Sequence, residues 1–331
     1  MSTDLPLHGR TWRDGVPGTA PLTPQTVEAA LRDEHALVWL DLVAPTRAEL
    51  DELADELGLD PHAVEDTLAP LERPKATRHA SHLFFMTYAT RLRGVDDASG
   101  GRLERSRISA FVLPRLLLTV RLDDGLDMGE VVDRWEDDPD LLATGTGALV
   151  HGLLDVVVDG HFATIQQLDD AIEAMEDELF AQERTGAQFQ RRIYGLRKDL
   201  VELRRVVLPM RELVNTLLRH QKVGDAYLDA SFDDLYDHVL RAAEWTESLR
   251  DMVTTVFETN LSLQDARLNT IMKQLAAWAA IIAVPTAVTG WFGQNVPYPG
   301  FQHASGLWMS VVLILVLSAL LYLAFRRRDW L

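Results

Sequence analysis

The spacing of apolar residues changes character along the chain. From 35–43 (HALVWLDLV) apolar and polar positions alternate as in a strand. Over 46–57 the apolar residues recur at helical spacing, and 61–68, opening on Pro61, reads as a second short helix. Residues 81–92, 105–113 and 115–122 are rich in β-branched and aromatic side chains and predict strands, with Pro114 in the turn between the last two. An acidic helix is predicted over 125–136. Residues 1–22, with Pro6, Gly9, Gly15, Pro17 and Gly18, carry no period and read as irregular. These elements predict an α/β domain over 1–142, bounded by Gly145-Thr146-Gly147.

Beyond that boundary the period is helical throughout. Two amphipathic arms, 149–183 and 188–221, the second interrupted by Pro209, occupy a region spanning 143–230. Asp155 to Glu183 contains nine acids and no Lys or Arg, whereas Arg184 to Lys222 contains ten Lys or Arg and three acids. Opposite charge on consecutive arms predicts antiparallel pairing with mutual neutralisation, and the acidic arm also offers oxygen ligands to cations. Residues 231–292 hold no Gly before Gly290 and no Pro before Pro285. They can run as a single helix about 90 Å long. Its part over 231–273 is a soluble stalk.

The remainder, 274–331, is different again. Gln274 to Phe325 is a run of 52 residues without Asp, Glu, Lys or Arg. Two apolar runs within it, about 275–292 and 307–325, each approach the ~20 residues that a helix needs to cross hydrocarbon. They predict a two-helix transmembrane hairpin. Arg267 and Lys273 precede the first run and Arg326, Arg327 and Arg328 follow the second, while the connecting loop has no basic residue. By the positive-inside rule both termini are cytosolic. Tyr298, Trp308, Tyr322 and Trp330 suit the membrane interfaces. On the first span Asn269, Met272, Ala276, Ala279, Ala283, Thr286 and Gly290 share one small or mildly polar face. That face suits close helix packing and equally the lining of a narrow pore. The second span is bulkier and should face lipid. Two spans cannot enclose a channel, so transport would require several subunits around an axis.

Charge and composition narrow the function. A net charge of −18 argues against nucleic acid as a partner. The absence of cysteine excludes disulfides and thiolate zinc sites. Met1-Ser2-Thr3-Asp4-Leu5 has no basic or apolar start, so no signal peptide is evident. The chain has no phosphate-binding glycine loop, no G-x-S-x-G and no H-E-x-x-H, so an enzyme is not expected. His79 and His82 form an H-x-x-H pair that reads as surface residues.

The long stalk, the hairpin and the tripeptide Gly293-Gln294-Asn295 between the spans resemble the CorA-type divalent-cation transporter family, whose signature at this point is Gly-Met-Asn. Glu65-Asp66 after Pro61 and Asp233-Asp234-Leu235-Tyr236-Asp237-His238 at the stalk's start agree with it. The resemblance implies a funnel-shaped homopentamer in the cytoplasmic membrane that passes Mg2+, and often Co2+ or Ni2+. It implies an ion entrance at Gly293, Gln294 and Asn295 and pore-facing positions at Asn269, Met272, Leu275, Ala283, Thr286 and Gly290. It also implies a regulatory Mg2+ held between Asp66 of one subunit and Asp234 of the next. Gln294 in place of Met and an acid-free loop over 296–306 depart from the family pattern and bear on ion preference. The rival readings are a zinc transporter of the ZntB branch and a membrane scaffold that transports nothing.

Overall fold

A computed structural model describes residues 8–70, 72–94, 102–180, 187–220, 226–295, 297–301 and 303–331. In chain order its elements are β1 (His8–Arg13), β2 (Val16–Pro17), α1 (Pro24–Arg32), β3 (Ala36–Val43), α2 (Arg47–Leu57), α3 (Pro61–Leu68), β4 (Lys75–Arg78), β5 (Leu83–Arg93), β6 (Arg102–Val112) and β7 (Leu116–Arg121). Six helices follow: α4 (Met128–Asp137), α5 (Pro139–Leu142), α6 (Thr146–Phe180), α7 (Ala187–His220), α8 (Ala226–Phe292) and α9 (Ala304–Arg326). The chain divides into two compact units, 1–256 and 257–331, each described by itself below.

The first unit is built on a mixed seven-stranded sheet in the order β2-β1-β3-β7-β6-β5-β4. β3 and β7 run parallel at its centre, and every other pairing is antiparallel. The alternation read in β3 now has a spatial meaning. Val38, Leu40 and Leu42 enter a core with Leu50 of α2 and Ala63 and Val64 of α3. Leu37 and Trp39 enter the opposite core, beneath α4, α6, α7 and the start of α8. Trp135 of α4 anchors that second core: its ring meets Trp12 and Trp39 edge-on at 5.6 and 5.2 Å, and its Nε1 donates to Leu149 O at 2.9 Å. Burial on both faces is why β3 and β7 are almost wholly apolar. The exceptions are Thr119 and Arg121 of β7 and Asp41 of β3, which is buried and receives two nitrogens of Arg121, the closer at 2.7 Å.

Five elements escaped the sequence reading: β1, β2, α1, β4 and the single turn α5. Residues 8–17, expected to be irregular, contain a hairpin closed by Asp14-Gly15 with φ of 50° and 77°. Such a two-residue Asp-Gly loop matches the strand twist. Gly15 is also required there by contact, since a Cβ would stand 2.5 Å from Pro139 O. α1 starts at a capping box of Thr23 and Thr26 with Pro24 in its first turn. β4 is a short edge strand.

The two arms do pack on each other, Ile172 and Met175 of α6 beside Ile193 and Leu196 of α7, but the expected mutual neutralisation of their charge is corrected. Among the described residues a single ion pair, Arg192 to Glu178, joins α7 to α6. Arg204 of α7 instead meets Glu247 of α8, and Glu202 of α7 meets Arg105 of β6. Asp155 and Asp159 of α6 both bind Arg134 of α4. Charge is neutralised across the whole packed unit rather than within one hairpin.

Among the described residues three helices are long and apolar enough to cross a membrane. Burial separates them. The apolar window of α6 is 67 % buried inside the protein, whereas those of α8 and α9 are 11 % and 0 % buried. α6 is thus a core helix, and α8 and α9 carry the apolar surface that lipid or other subunits must cover.

Candidate ion entrance and regulatory acids

In the second unit, α8 runs unbroken to Phe292 despite Pro285. The proline leaves the Ile281 carbonyl without its helical donor. Nearby hydroxyls fold back on the helix, with Thr286 Oγ1 donating to Ile282 O and Thr289 Oγ1 to Pro285 O. At about 100° per residue, the six positions Asn269, Met272, Leu275, Ala283, Thr286 and Gly290 fall within an arc of about 120°. All six are exposed. The buried residues of this stretch, Ala277 at 0 % and Val288 at 8 % exposure, lie on the opposite side of the helix. The six positions lie on the uncovered side of α8, which is broad and also carries Ile271, Trp278 and Ile282.

Past Phe292 the helix closes on a turn, with Gly293 N donating to Thr289 O at 2.8 Å and Gln294 N to Trp291 O at 3.3 Å. Glycine is needed at 293, because a Cβ would stand 2.9 Å from Thr289 O. An aromatic clasp holds the loop that follows: Tyr298 meets Phe292 at 4.9 Å and Phe301 at 5.3 Å, each edge-on. Gly300 has φ of 87°, and its carbonyl lies 2.6 Å from the Cβ position of Gly306. Both glycines let the chain reverse tightly into α9. Gln294 and Asn295 are exposed beside this clasp, and their carboxamides make no hydrogen bond to other described residues. His303 donates from Nδ1 to Phe301 O at 2.9 Å, which leaves Nε2 of the neutral ring as an acceptor.

The two predicted regulatory acids lie in the first unit. Asp66 sits in the last turn of α3, one third exposed, with Oδ2 2.8 Å from Lys75 Nζ. The same ammonium lies 2.9 Å from Glu72 Oε2. Asp234, at 69 % exposure near the start of α8, faces His238 at 3.8 Å, and its charge also reaches His151. His238 Nδ1 is buried without a partner. On the Asp234 side His151 bonds Ser231 O through Nε2 at 3.1 Å. Burial lowers the His151 pKa, and burial raises that of Asp155 against the opposing pull of Arg134. No group of three or more His, Asp or Glu among the described residues could hold a metal ion. Within one chain Asp66 and Asp234 each offer a single carboxylate, one of them already paired. Lys75 went unread in the sequence; its pairing is tertiary, and only its spacing of three from Glu72 gives any local sign.

The H-x-x-H pair is not at the surface as expected, since His82 is buried, nor is it arranged as a metal site. The two rings stack at 5.0 Å with 17° between planes, so their nitrogen lone pairs run side by side and do not converge. His79 Nδ1 also faces Asp60 at 3.2 Å.

Residues 34–327 match the family described as CorA-like Mg2+ transporter protein. The putative metal ion transporter YfjQ of Bacillus subtilis is 26 % identical over 310 residues, covering 92 % of this chain and 93 % of that one. The cobalt/magnesium transport protein CorA of Thermotoga maritima is 26 % identical over 319 residues, covering 92 % and 87 %. The complete structure of the CorA magnesium transporter from Methanocaldococcus jannaschii superposes with a TM-score of 0.76 at 23 % identity, over 98 % of both chains. The matched relatives extend to zinc transport proteins named ZntB.

Proposed function

The chain belongs to the CorA-like Mg2+ transporter family, and on that premise we propose that it passes Mg2+ across the cytoplasmic membrane as a homopentamer with both termini in the cytosol. Five copies of α8 would line the pore through the Asn269-to-Gly290 face. The observation that carries this reading is that this face is exposed in the chain, lies opposite Ala277 and Val288, and leads directly to the unpartnered Gln294 and Asn295.

The chemistry suits magnesium. Mg2+ gives up its water reluctantly, so an entrance selects it best in hydrated form, through hydrogen bonds to its water shell. A ring of Asn295 carboxamides and Gly293 carbonyls supplies acceptors without the full charge that would trap a divalent ion. Gln294 adds a second amide ring at that level. Because the loop has no acid, local concentration of cations by the mouth is weak and low-salt acceleration of entry is small. Closure would come from cytosolic Mg2+ bound between Asp66 of one subunit and Asp234 of its neighbour. Both are accessible at the surface of the first unit, and carboxylates are the ligands hard cations prefer. Without the ion the two carboxylates repel, which favours the open stalk.

One observation favours zinc as the cargo. His303 presents the tautomer that a transition metal takes, with Nδ1 held by a backbone carbonyl. The entrance reading is tested by Asn295→Ala in proteoliposomes. Ion flux is expected to vanish while the oligomer keeps its size; undiminished flux from an intact oligomer would overturn the entrance role.

A further inference from the structure

Lys75 holds two carboxylates at once, Asp66 at 2.8 Å and Glu72 at 2.9 Å. Its backbone is fixed by the edge pairing of β4, where Lys75 stands opposite Met86 of β5. The corner that carries the acids is held as well: Tyr88 Oη donates to Glu72 O at 2.5 Å, and Arg107 donates to Ala69 O. The ammonium is therefore a positioned group. All three side chains remain about a third exposed, so the contact is open to exchange with ions from solvent.

We infer that Lys75 is a built-in cation that competes with regulatory Mg2+ for the Asp66 carboxylate and thereby sets the Mg2+ concentration at which the transporter closes. The inference rests on the sensor reading above. An ammonium and a hard metal ion use the same carboxylate lone pairs. Mg2+ must displace the Asp66–Lys75 contact, or bind beside it against the repulsion of a positive charge. Removing Lys75 leaves Asp66 and Glu72 without their shared counter-ion, and their combined field then favours the divalent ion. A charge-conserving replacement should change little.

The experiment measures, on the full-length protein in detergent, the Mg2+ concentration that gives half-maximal protection against chymotrypsin. Lys75→Met and Lys75→Gln are expected to lower it roughly three- to tenfold, as for loss of a surface pair together with its nearby charge. Lys75→Arg should stay within about twofold of wild type, as should Arg73→Met, which removes an exposed cation two residues away. Two further variants, Asp66→Asn and Asp234→Asn, separate the levels of the argument. If both abolish Mg2+ protection and neither Lys75→Met nor Lys75→Gln shifts it, the sensor stands and the role of Lys75 is overturned. If Arg73→Met shifts it as far as Lys75→Met, general surface charge replaces competition at Asp66. If neither aspartate variant changes the protection, the sensor reading falls and takes this inference with it.

Discussion

Gly290 offers the most economical test of which way α8 faces. Glycine inside a helix costs about 0.5–1 kcal/mol relative to alanine, since it has more backbone freedom to lose. The chain itself gives no reason for that cost: beyond the helix's own backbone, no described atom lies within 4 Å of where a Cβ would stand. Gly293 is a different case, because its own Thr289 carbonyl excludes a side chain. The reason for Gly290 must therefore lie outside the chain, and in the proposed assembly it is the pore axis. Gly290→Ala should stabilise each helix slightly, by up to ~1 kcal/mol. Gly290→Leu should also leave the fold intact, since the space is open, but in the proposed assembly it brings a branched side chain from every subunit toward the pore axis. Each ~1.4 kcal/mol added to the permeation barrier slows flux about tenfold. Flux should fall severalfold in the alanine variant and by more than tenfold in the leucine variant, with oligomer size and amount in the membrane unchanged. The assay is dye-reported uptake into proteoliposomes beside size-exclusion chromatography of the same preparations. Leucine at 290 with undiminished flux would show that this face meets lipid; loss of the oligomer would show that it packs against a neighbouring helix.

Two further outcomes concern the first unit. His161 is fully buried, donates from Nε2 to Tyr88 O at 2.8 Å, and burial holds its pKa down to about 4 from 6.5. The unfolded chain takes up this proton below about pH 6.5 and the folded one only near pH 4, so stability is whole above pH 6.5 and falls as pH drops through that window, by about 2 kcal/mol at pH 5. Thermal unfolding between pH 7.5 and 5 should therefore show a steeper loss for wild type than for His161→Gln, and parallel curves would contradict the account. Asp41→Ala leaves the buried Arg121 guanidinium with only the exposed Asp124 as a carboxylate partner and should destabilise the unit by up to about 3–5 kcal/mol. Denaturant titration followed by tryptophan emission measures this, since Trp39 bonds Thr119 and Thr119 bonds Asp41; a loss below about 1 kcal/mol would mean that the pair is dispensable.

Much of this architecture was legible from residue spacing. The two spans announce themselves by the absence of charge, and the stalk by the absence of Gly and Pro up to Pro285. β3 and β7 were visible because burial on both faces forces a nearly continuous apolar run. The hairpin at 8–17 was not, because its strands are short, polar and at the sheet edge, and a lone Asp14-Gly15 pair is the whole of its local signal. α1 was legible in principle, from Thr23, Pro24 and Thr26, and was overlooked because its apolar stripe is thin. The charge pairing of the arms was misread for a different reason. Complementary net charge says that two segments can meet, but partners such as Arg134 for Asp155 and Glu247 for Arg204 follow from three-dimensional packing. The same holds for Lys75 beside Asp66. The Gly293-Gln294-Asn295 tripeptide was readable by its position between two apolar helices, whereas the ring proposed for it would need other copies of the chain.

The central claim, that the pore passes Mg2+, is tested most directly by ion uptake into proteoliposomes holding the purified protein. A Mg2+-sensitive dye is run beside matched reporters for Co2+ and Zn2+, with Asn295→Ala as the paired control. The account predicts Mg2+ entry that disappears in the variant. Entry of Zn2+ without Mg2+, or Mg2+ entry equal in the variant, would contradict it.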